Sequence, residues 1–471
     1  LKDGNRIQID LRDILKVDKI VVDKTELKNT RKADSVFIDF PQTLKNGEIY
    51  AIDFYYSGTP TPIGRFGSLA FNKDPQGRPY IYTACEEEGP SMWWPCKDQW
   101  QDKVESADIS VSVPNALTDV SNGRFVAKTD LGDGYTRWDW HVSYPINAYC
   151  ISMNIATYVH FDDKFPANEK LGTAEVPMDF WVWPEDLDKA KVTFQQARKM
   201  IEAYTHYFGE YPFIKDGYKL VEAQLPNTGM EHQSAVTYGN GFRNGYNGRG
   251  DQRFDFIIIH ESGHEWFANS ISAGDRSDMW IHEGFTNYLE SLFVEYWYGK
   301  EEGIKYVNNQ RPQNRQPVIS ERGVYSTPPG DQYGKGARFL NTIRGVVNDD
   351  DKYFKLLRDF YQKHQHSVIM TEDINKFFNE QTGMNLTPIF KQYLWHAAIP
   401  VLELKFDDAK GTVDYRWKAD EKDFAMPIRV GKPDAWQVIT PTLEWQTMKT
   451  SQKKDDFAVA TDFYYVNVAR E

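Results

Sequence analysis

A five-residue segment, His260-Glu261-Ser262-Gly263-His264, constrains the fold of this chain more than any other part of its sequence. In an α-helix, residues four positions apart lie about 40° apart around the helix axis, so both imidazoles can reach one ion if the segment is helical. Glu261 is rotated by about 100° from His260 and can flank that ion without binding it. The apolar run that precedes the segment, 254–259, predicts that this helix is buried.

Glu283 is the predicted third ligand. It follows His264 after eighteen intervening residues and lies in a second predicted amphipathic helix. Two neutral imidazoles and one carboxylate leave a fourth tetrahedral position for water, which is typical of catalytic zinc, since structural zinc sites are usually closed and rich in cysteine. The sequence therefore predicts one zinc ion held by His260, His264 and Glu283, with Glu261 as the general base. The alternative is hydrogen-bonded core histidines and a solvated glutamate.

Glu290 is a candidate partner for one of the ligand imidazoles. It lies seven residues after Glu283 and hence on the same face of the predicted helix. A carboxylate there can accept the second N–H of a ligating histidine. An exposed glutamate is the alternative.

Composition excludes some classes of protein and leaves others open. At 471 residues, the chain is too long for one hydrophobic core and predicts two to four domains. The net charge of −13, without a cluster of Lys and Arg interleaved with aromatic residues, argues against a nucleic-acid partner. No apolar run has the length of a membrane span. The oligomeric state is left open.

Two features bear on the cellular compartment. The chain begins with Leu1 rather than Met, so we expect that an upstream segment is removed, which favours a periplasmic or secreted location over a cytoplasmic one. Cys85, Cys96 and Cys150 have no Cys-x-x-Cys spacing. A bridge between Cys85 and Cys96 and three buried thiols both remain open.

The periodicity of the sequence changes twice along the chain. Short alternating runs such as 35–40 and 50–56, separated by turn residues, predict a β-rich N-terminal region of sandwich or barrel type. Near Pro184 the apolar residues take up helical spacing, first over 185–208, and strands return after Pro400. We therefore expect a multidomain α+β protein. Its domains are a β domain over 1–183, a mostly helical domain that carries the zinc ligands over 184–398, and a small β-sandwich over 399–471.

Five motifs, spread over nearly the whole chain, resemble the zinc aminopeptidases of the aminopeptidase N and leukotriene hydrolase family. They stand in the order that this family has. The motifs are Trp94-Pro95-Cys96-Lys97-Asp98, Thr228-Gly229-Met230-Glu231-His232, the segment from His260 to Asn269, the segment from Trp280 to Glu290, and Tyr333-Gly334-Lys335-Gly336.

The resemblance implies a fold and further site residues. It implies a saddle-like β-sheet domain, a thermolysin-like zinc domain and a terminal β-sandwich, with the family's first strands expected to be missing before Leu1. Tyr333 matches the family's catalytic tyrosine. Gly229, Met230 and Glu231 match its exopeptidase motif, and Glu86 matches a position that helps to bind the amino terminus of the substrate. Glu86 stands nine residues before Pro95 in an acidic run whose alternative is a solvated turn.

Three departures from the family pattern affect the expected specificity. His232 replaces the usual Asn of the exopeptidase motif, and Thr228 replaces its first Gly. His282 replaces the Asn before the third ligand. We do not expect His282 to bind the metal, because Glu283 has the spacing that the family requires.

These residues together imply a zinc-dependent aminopeptidase that acts on peptides with a free amino terminus. Glu261 would act as general base and acid, Tyr333 would stabilise the oxyanion, and Glu231 would pair with the α-ammonium of the substrate. The alternatives are a zinc endopeptidase, another amide or epoxide hydrolase that uses the same ion, and an inactive zinc-binding scaffold.

Overall fold

The computed structural model describes residues 3–225, 228–246, 248–324 and 330–471, and these form two compact units. The predicted order of a β-rich region, a helical region and a second set of strands is confirmed. The first unit comprises Leu1–Pro166, Glu175–Gln195 and Phe213–Ile257. The second comprises Ala167–Ala174, Gln196–Pro212 and Ile258–Glu471.

The N-terminal part of the first unit consists of short strands with alternating burial. In Tyr135–Val142, for example, every second side chain is buried, as expected for a sheet with one face on a core. These strands are β1 (Gly4–Asp10), β2 (Lys16–Val22), β3 (Thr25–Glu26), β4 (Asn29–Lys32), β5 (Ser35–Leu44), β6 (Asp53–Ser57), β7 (Ser68–Lys73), β8 (Pro79–Ala84), β9 (Lys103–Val104), β10 (Ala107–Pro114), β11 (Thr118–Ser121), β12 (Arg124–Asp130), β13 (Tyr135–Val142), β14 (Ile146–Asn147), β15 (Met153–Ala156) and β16 (Val159–Phe165).

These strands form several small antiparallel sheets rather than one continuous sheet. Their orders are β1-β5-β4, β3-β2-β6, β10-β13-β12, β11-β15-β8-β7 and β14-β9. The turn between β11 and β12 contains Gly123 at φ 76°, where an added Cβ would lie 2.1 Å from the carbonyl oxygen of His141. A larger residue cannot fit there, so glycine allows β12 to pass close to β13. Cys85, Cys96 and Cys150 are all buried free thiols.

A mixed five-stranded sheet completes the first unit. It comprises β16, β17 (Val176–Val182), β18 (Tyr218–Glu222), β20 (Val236–Tyr238) and the edge strand β19 (Gly229–Met230), in that spatial order. The strands β17, β18 and β20 are parallel, and β19 runs antiparallel to β20. All five residues of β18 are buried, as expected for a central strand.

The helix predicted over 185–208 is interrupted in the structure. A 3₁₀ turn over Pro184–Asp186 leads into α1 (Leu187–Thr193), and α2 (Gln196–Phe208) begins after a break at Phe194. Phe194 is buried against Phe180 of β17, with ring centroids 5.3 Å apart. Apolar spacing carries no signal for this break, because the buried face continues through it.

The remaining helices, apart from the first turn of α3, belong to the second unit. They are α3 (Phe256–Gly263), α4 (Trp280–Tyr298), α5 (Lys300–Asn308), α6 (Asp331–Val347), α7 (Asp350–His364), α8 (Thr371–Thr382) and α9 (Thr387–Leu394). No helix in the described parts of the chain is both long and apolar enough to cross a membrane.

The helices α4 and α6 cross at two glycines. A Cβ added to Gly284 would lie 3.0 Å from the Cα of Gly336, and one added to Gly336 would lie 2.8 Å from the Cα of Gly284. Only a residue without a side chain allows two backbones to approach this closely. This crossing fixes the position of Glu283, one residue before Gly284, relative to Tyr333, which lies three residues before Gly336.

The C-terminal strands form two sheets with a short parallel pair before them in the chain. The pair is β21 (Ile271–Ala273) and β22 (Ser367–Ile369). The first sheet has the order β27 (Gln446–Lys449), β24 (Thr412–Lys418), β23 (Val401–Asp407) and β29 (Asn467–Arg470), and the second has the order β26 (Ala435–Ile439), β25 (Ile428–Lys432) and β28 (Ala458–Val459). Leu404 and Trp417 of the first sheet and Val430 of the second are buried.

Candidate metal centre

The two histidines of the opening segment converge at the end of α3. Ile257, Ile258 and Ile259 are almost fully buried and anchor the helix. The helix ends at Gly263, yet the backbone N–H of His264 still donates to the carbonyl of His260 at 3.3 Å, so helical geometry extends to the second histidine. The Nε2 atoms of the two imidazoles lie 3.3 Å apart.

Glu283, in the first turn of α4, completes a nearly equilateral triangle of atoms that can donate a lone pair to a metal. Its Oε2 lies 3.4 Å from His260 Nε2 and 3.5 Å from His264 Nε2. Ligands held about 2.0–2.2 Å from a tetrahedral zinc ion are about 3.3–3.5 Å from one another, so the triangle has the size that this ion requires. All three residues are buried and can hold one metal ion.

The carboxylate oxygen of this triangle, Oε2 of Glu283, has no ordinary hydrogen-bond donor in the described part of the chain. A buried carboxylate oxygen without a donor is unfavourable, and a cation between it and the two imidazoles satisfies it. The residues present therefore fit a metal ion.

Glu290 holds the imidazole of His260 in place. Its Oε1 lies 2.6 Å from His260 Nδ1 and accepts from the side-chain amide of Asn287 at 2.9 Å, while its Oε2 accepts from the hydroxyl of Tyr306 at 2.7 Å. The side chain of Glu290 is fully buried. Since a carboxylate can only accept, it fixes the proton on Nδ1 of His260 and leaves the Nε2 lone pair for a metal.

His264 is oriented in the same manner by a backbone carbonyl. Its Nδ1 lies 3.0 Å from the carbonyl oxygen of Phe267, and Thr286 of α4 also donates to that oxygen at 3.2 Å. The Nε2 lone pair of His264 therefore also points away from these partners and is available for a metal. The sequence identified Glu290 as a candidate partner, but it carried no signal for Asn287, Tyr306 or Thr286.

The charges around the donors favour a cation. Burial lowers the pKa of His260, but the nearby carboxylates of Glu283 and Glu290 outweigh it and hold that pKa well above its ordinary value. Burial raises the pKa of Glu283, but the two imidazoles hold it below its ordinary value. The raised pKa of His260 indicates a negative potential at its ring, which a metal ion bound there would also experience.

The predicted base and the predicted tyrosine lie next to this triangle. Glu261 is buried on α3, directly after His260. Tyr333 is in the first turn of α6, and its ring lies nearly parallel to that of His260, with centroids 6.1 Å apart and an interplanar angle of 25°. The side chain of Tyr333 is exposed, unlike the ligands. Spacing alone could not select this residue among 27 tyrosines.

Lys335 of the same motif has a structural contact. Its Nζ donates to the carbonyls of His396 and Ala397 at 2.8 Å each, just beyond the end of α9. Burial lowers the pKa of this ammonium group to about 8. The contact ties α6, which carries Tyr333, to the segment after α9.

His282 is directed away from the metal ligands. Its Nε2 accepts the backbone N–H of Ala273 at 2.9 Å, and the side chain is fully buried. This contact holds the imidazole of His282 against strand β21.

In the first unit, the exopeptidase motif lies on the edge strand of the mixed sheet. Gly229 and Met230 form β19, and Glu231 follows directly and is buried. The hydroxyl of Tyr149 donates to Oε1 of Glu231 at 3.1 Å. Burial raises the pKa of Tyr149 well above its ordinary value, and the charges of Glu231 and Glu86 raise it further. The charges of both predicted carboxylates thus act on one tyrosine, which the sequence did not single out.

His232 forms part of the interior of the first unit. It is fully buried, and its Nδ1 lies 2.8 Å from the hydroxyl oxygen of Thr237 in β20. Burial lowers the pKa of this imidazole to about 3, so it is neutral over the physiological range. The histidine that replaces the usual Asn of the motif therefore adds no charge beside Glu231.

Two domain models of one peptidase family match most of the chain. The Peptidase M1 N-terminal domain matches residues 3–150, and the Peptidase family M1 domain matches residues 192–393. The chain therefore belongs to the M1 peptidase family. The predicted resemblance is confirmed by this match.

Individual relatives are distant. Aminopeptidase B of Mus musculus is 23% identical over 346 residues, which cover 68% of this chain and 49% of that protein. Endoplasmic reticulum aminopeptidase 1 of Homo sapiens is 22% identical over 357 residues, which cover 71% of this chain and 36% of that protein. The chain thus spans about half of the first relative and about a third of the second.

Solved structures share the fold. An M1 zinc metallopeptidase from Deinococcus radiodurans superposes with a TM-score of 0.70 at 18% identity, covering 84% of this chain and 87% of that chain. An aminopeptidase A from Legionella pneumophila, in complex with aspartic acid, superposes with a TM-score of 0.81 at 14% identity, covering 99% of this chain and 56% of that chain.

Replacing Glu290 tests the geometry of the centre without removing a ligand. In Glu290→Gln, the neutral amide no longer holds the Nδ1 proton of His260 by a charge-assisted hydrogen bond. We expect the affinity for zinc to fall by about 10- to 100-fold. Competition with a chelator of known affinity measures this change.

The matched control is Glu301→Gln, which changes an exposed glutamate on α5 in the same way. Its zinc affinity should equal that of the parent protein. Equal affinities for Glu290→Gln and the parent protein would show that the Glu290 contact does not support a metal site.

Proposed function

We propose that this chain is a zinc-dependent aminopeptidase, which hydrolyses the first peptide bond of peptides with a free amino terminus. One observation carries the proposal: two imidazole nitrogens and one carboxylate oxygen lie 3.3–3.5 Å apart, next to Glu261. Membership of the M1 family and the printed activities of the relatives support it. The proposed domains are those expected from the sequence, 1–183, 184–398 and 399–471.

The proposed ligands are His260, His264 and Glu283, which bind one zinc ion. Two nitrogens and one carboxylate oxygen form a ligand set typical of hydrolytic zinc, with a position left for a reactant. When bound there, zinc supplies Lewis acidity, which makes water a stronger acid and a carbonyl carbon a stronger electrophile. The remaining chemistry comes from side chains of this protein.

Glu261 is the proposed general base. As a carboxylate on the ligand helix, it takes a proton from the attacking water and delivers it to the leaving amine. Its position directly after His260 keeps it close to the reacting atoms while leaving the three ligand positions to other residues. Because the side chain is buried, its charge is less screened than at the surface.

Tyr333 is the proposed donor to the oxyanion. Its phenol is exposed rather than packed in the core, and its ring stacks beside that of His260. A hydroxyl in this position can donate to the oxygen that becomes negatively charged as water attacks. Such a hydrogen bond strengthens in the transition state and therefore raises the rate rather than only substrate affinity.

Glu231 and Glu86 are the proposed acceptors of the substrate ammonium group. A free α-ammonium can pair with these carboxylates, whereas an internal peptide nitrogen leaves them without a counter-charge. Tyr149 would orient Glu231 through its 3.1 Å hydrogen bond. The strand of Gly229 and Met230 would present its backbone to the substrate beside Glu231. A pair of acceptors for a free ammonium group would favour an exopeptidase over an endopeptidase.

Glu261→Gln tests the base. We expect the rate of hydrolysis of an aminoacyl-coumarin substrate to fall by about 10²- to 10⁴-fold, because glutamine cannot accept the proton of water. The zinc content, measured by mass spectrometry, should not change, because the ligands are intact. A fully active Glu261→Gln enzyme would require another base, and Glu301→Gln again serves as the control.

Glu231→Ala tests the exopeptidase assignment. Loss of a charge-assisted hydrogen bond of about 1.5–3 kcal/mol should lower kcat/KM for a free-amino substrate by about 10- to 150-fold, with bound zinc unchanged. The companion measurement uses the parent protein with one peptide in free and N-acetylated forms. Equal turnover of the two forms would contradict an aminopeptidase and favour a zinc endopeptidase. No metal-dependent turnover of either form would favour a zinc-binding scaffold.

A further inference from the structure

A second cavity lies entirely within the first unit. It opens at the carboxyl ends of the parallel strands β17, β18 and β20 and has a volume of about 290 Å³. In open α/β sheets, this end of the strands is where ligands bind, because the connecting loops separate there. None of the residues assigned above to hydrolysis lines this cavity.

Trp183 provides a buried donor at the cavity. It directly follows β17, lines the cavity and is only 4% exposed. Among the described residues, no acceptor lies within hydrogen-bond distance of its indole Nε1–H. Trp183 thus places a buried indole, with no protein acceptor in the described part of the chain, in the wall of the cavity.

Glu222 provides a buried carboxyl group beside that donor. It is 5% exposed, and its Oε2 accepts the backbone N–H of Trp183 at 2.8 Å. Burial and the neighbouring carboxylate of Asp186 raise the pKa of Glu222 to about 8. At neutral pH the group holds a proton that an ammonium group can replace, because a cation in contact would stabilise the ionised form.

Charged side chains of both signs line the rim of the cavity. Lys189 of α1 lines it and lies 2.6 Å from Asp186. The hydrogen bond with Asp186 raises the pKa of Lys189. The positive charge of Lys189 disfavours a free metal ion, and the carboxylate of Asp186 disfavours a phosphate.

Aromatic side chains form the wall between these charges. Phe242 and Tyr238 line the cavity, with ring centroids 5.2 Å apart. The hydroxyl of Tyr238 donates to Asp255 at 2.6 Å and accepts the backbone N–H of Phe242 at 2.6 Å, so its polar atom is engaged. The backbone of Phe242 has a left-handed conformation, with φ at 59°, which is uncommon for an aromatic residue. The hydrogen bond from its N–H to the hydroxyl of Tyr238 holds this conformation.

We propose that this cavity binds a free α-amino acid with an apolar side chain. The ammonium group pairs with Glu222 and Asp186, the carboxylate pairs with Lys189, and the side chain packs on Phe242. The cavity has the size of a small metabolite rather than of a peptide. This site is independent of the proposed hydrolysis, although amino acids are also the products of that reaction.

Fluorine NMR on the full-length protein labelled with 5-fluorotryptophan tests the site. The resonance of Trp183 is assigned from its loss in Trp183→Phe, and L-leucine is the probe. We expect a saturable shift of this resonance. N-acetyl-L-leucine lacks the ammonium group and 3-methylbutylamine lacks the carboxylate, so each should bind at least about tenfold more weakly.

Lys189→Ala is the decisive variant, because Lys189 is exposed and its removal leaves the core intact. We expect its affinity for L-leucine, measured also by calorimetry, to fall by about tenfold or more. Lys191→Ala, an exposed lysine on the same helix, is the matched control and should bind as the parent protein does. Glu222→Gln should weaken binding as Lys189→Ala does.

Three results would overturn the proposal: no shift of the Trp183 resonance with L-leucine, equal binding of the amine and the amino acid, or equal affinities of Lys189→Ala and Lys191→Ala. A protein without peptidase activity would leave the proposal intact, because the resonance reports on this cavity and not on hydrolysis. If Trp183→Phe does not fold, the calorimetric comparison of the two lysine variants decides the question.

Discussion

The central physical constraint on the second unit is the burial of three potential metal-binding atoms within 3.5 Å of one another. Two imidazoles and a carboxylate in the protein interior are unfavourable unless a counter-charge or hydrogen bonds satisfy them. Oε2 of Glu283 accepts no hydrogen bond of ordinary length from the described residues, so a cation is the partner that fits this geometry. Burial of these three groups is unfavourable without an ion. Because a cation would relieve this unfavourable burial, the same arrangement gives the site affinity for an ion.

The helices around the donors are fixed by contacts that do not involve a metal. The crossing of α4 and α6 at Gly284 and Gly336 positions Glu283 relative to Tyr333. Glu290, with its donors Asn287 and Tyr306, fixes His260. A metal site built on rigid helices keeps its geometry better than one built on loops. The proposed chemistry therefore depends on how the helices of the second unit pack, because a small shift of α4 would move Glu283, the proposed third ligand.

The elements with strong periodicity could be predicted from the sequence, and so could the ligand spacing. The buried run before His260 predicts its helix, and the four-residue spacing predicts that the two imidazoles converge. The break between α1 and α2 could not be predicted, because the buried face continues through Phe194. Tyr149 could not be predicted either, since its contact with Glu231 joins residues 82 positions apart and no local pattern records such pairs. Tyr333 was assigned from the family resemblance alone, because spacing does not single out one tyrosine among many.

The most direct test of the proposed zinc site is a measurement of its metal content and coordination. X-ray absorption at the zinc edge, together with metal analysis of the purified protein, should give one zinc ion per chain, bound by two imidazole nitrogens and carboxylate oxygen at about 2.0–2.2 Å. A folded His260→Ala, His264→Ala double variant should contain no zinc. Stoichiometric zinc in that variant, or a sulfur-ligated ion in the parent protein, would contradict the account.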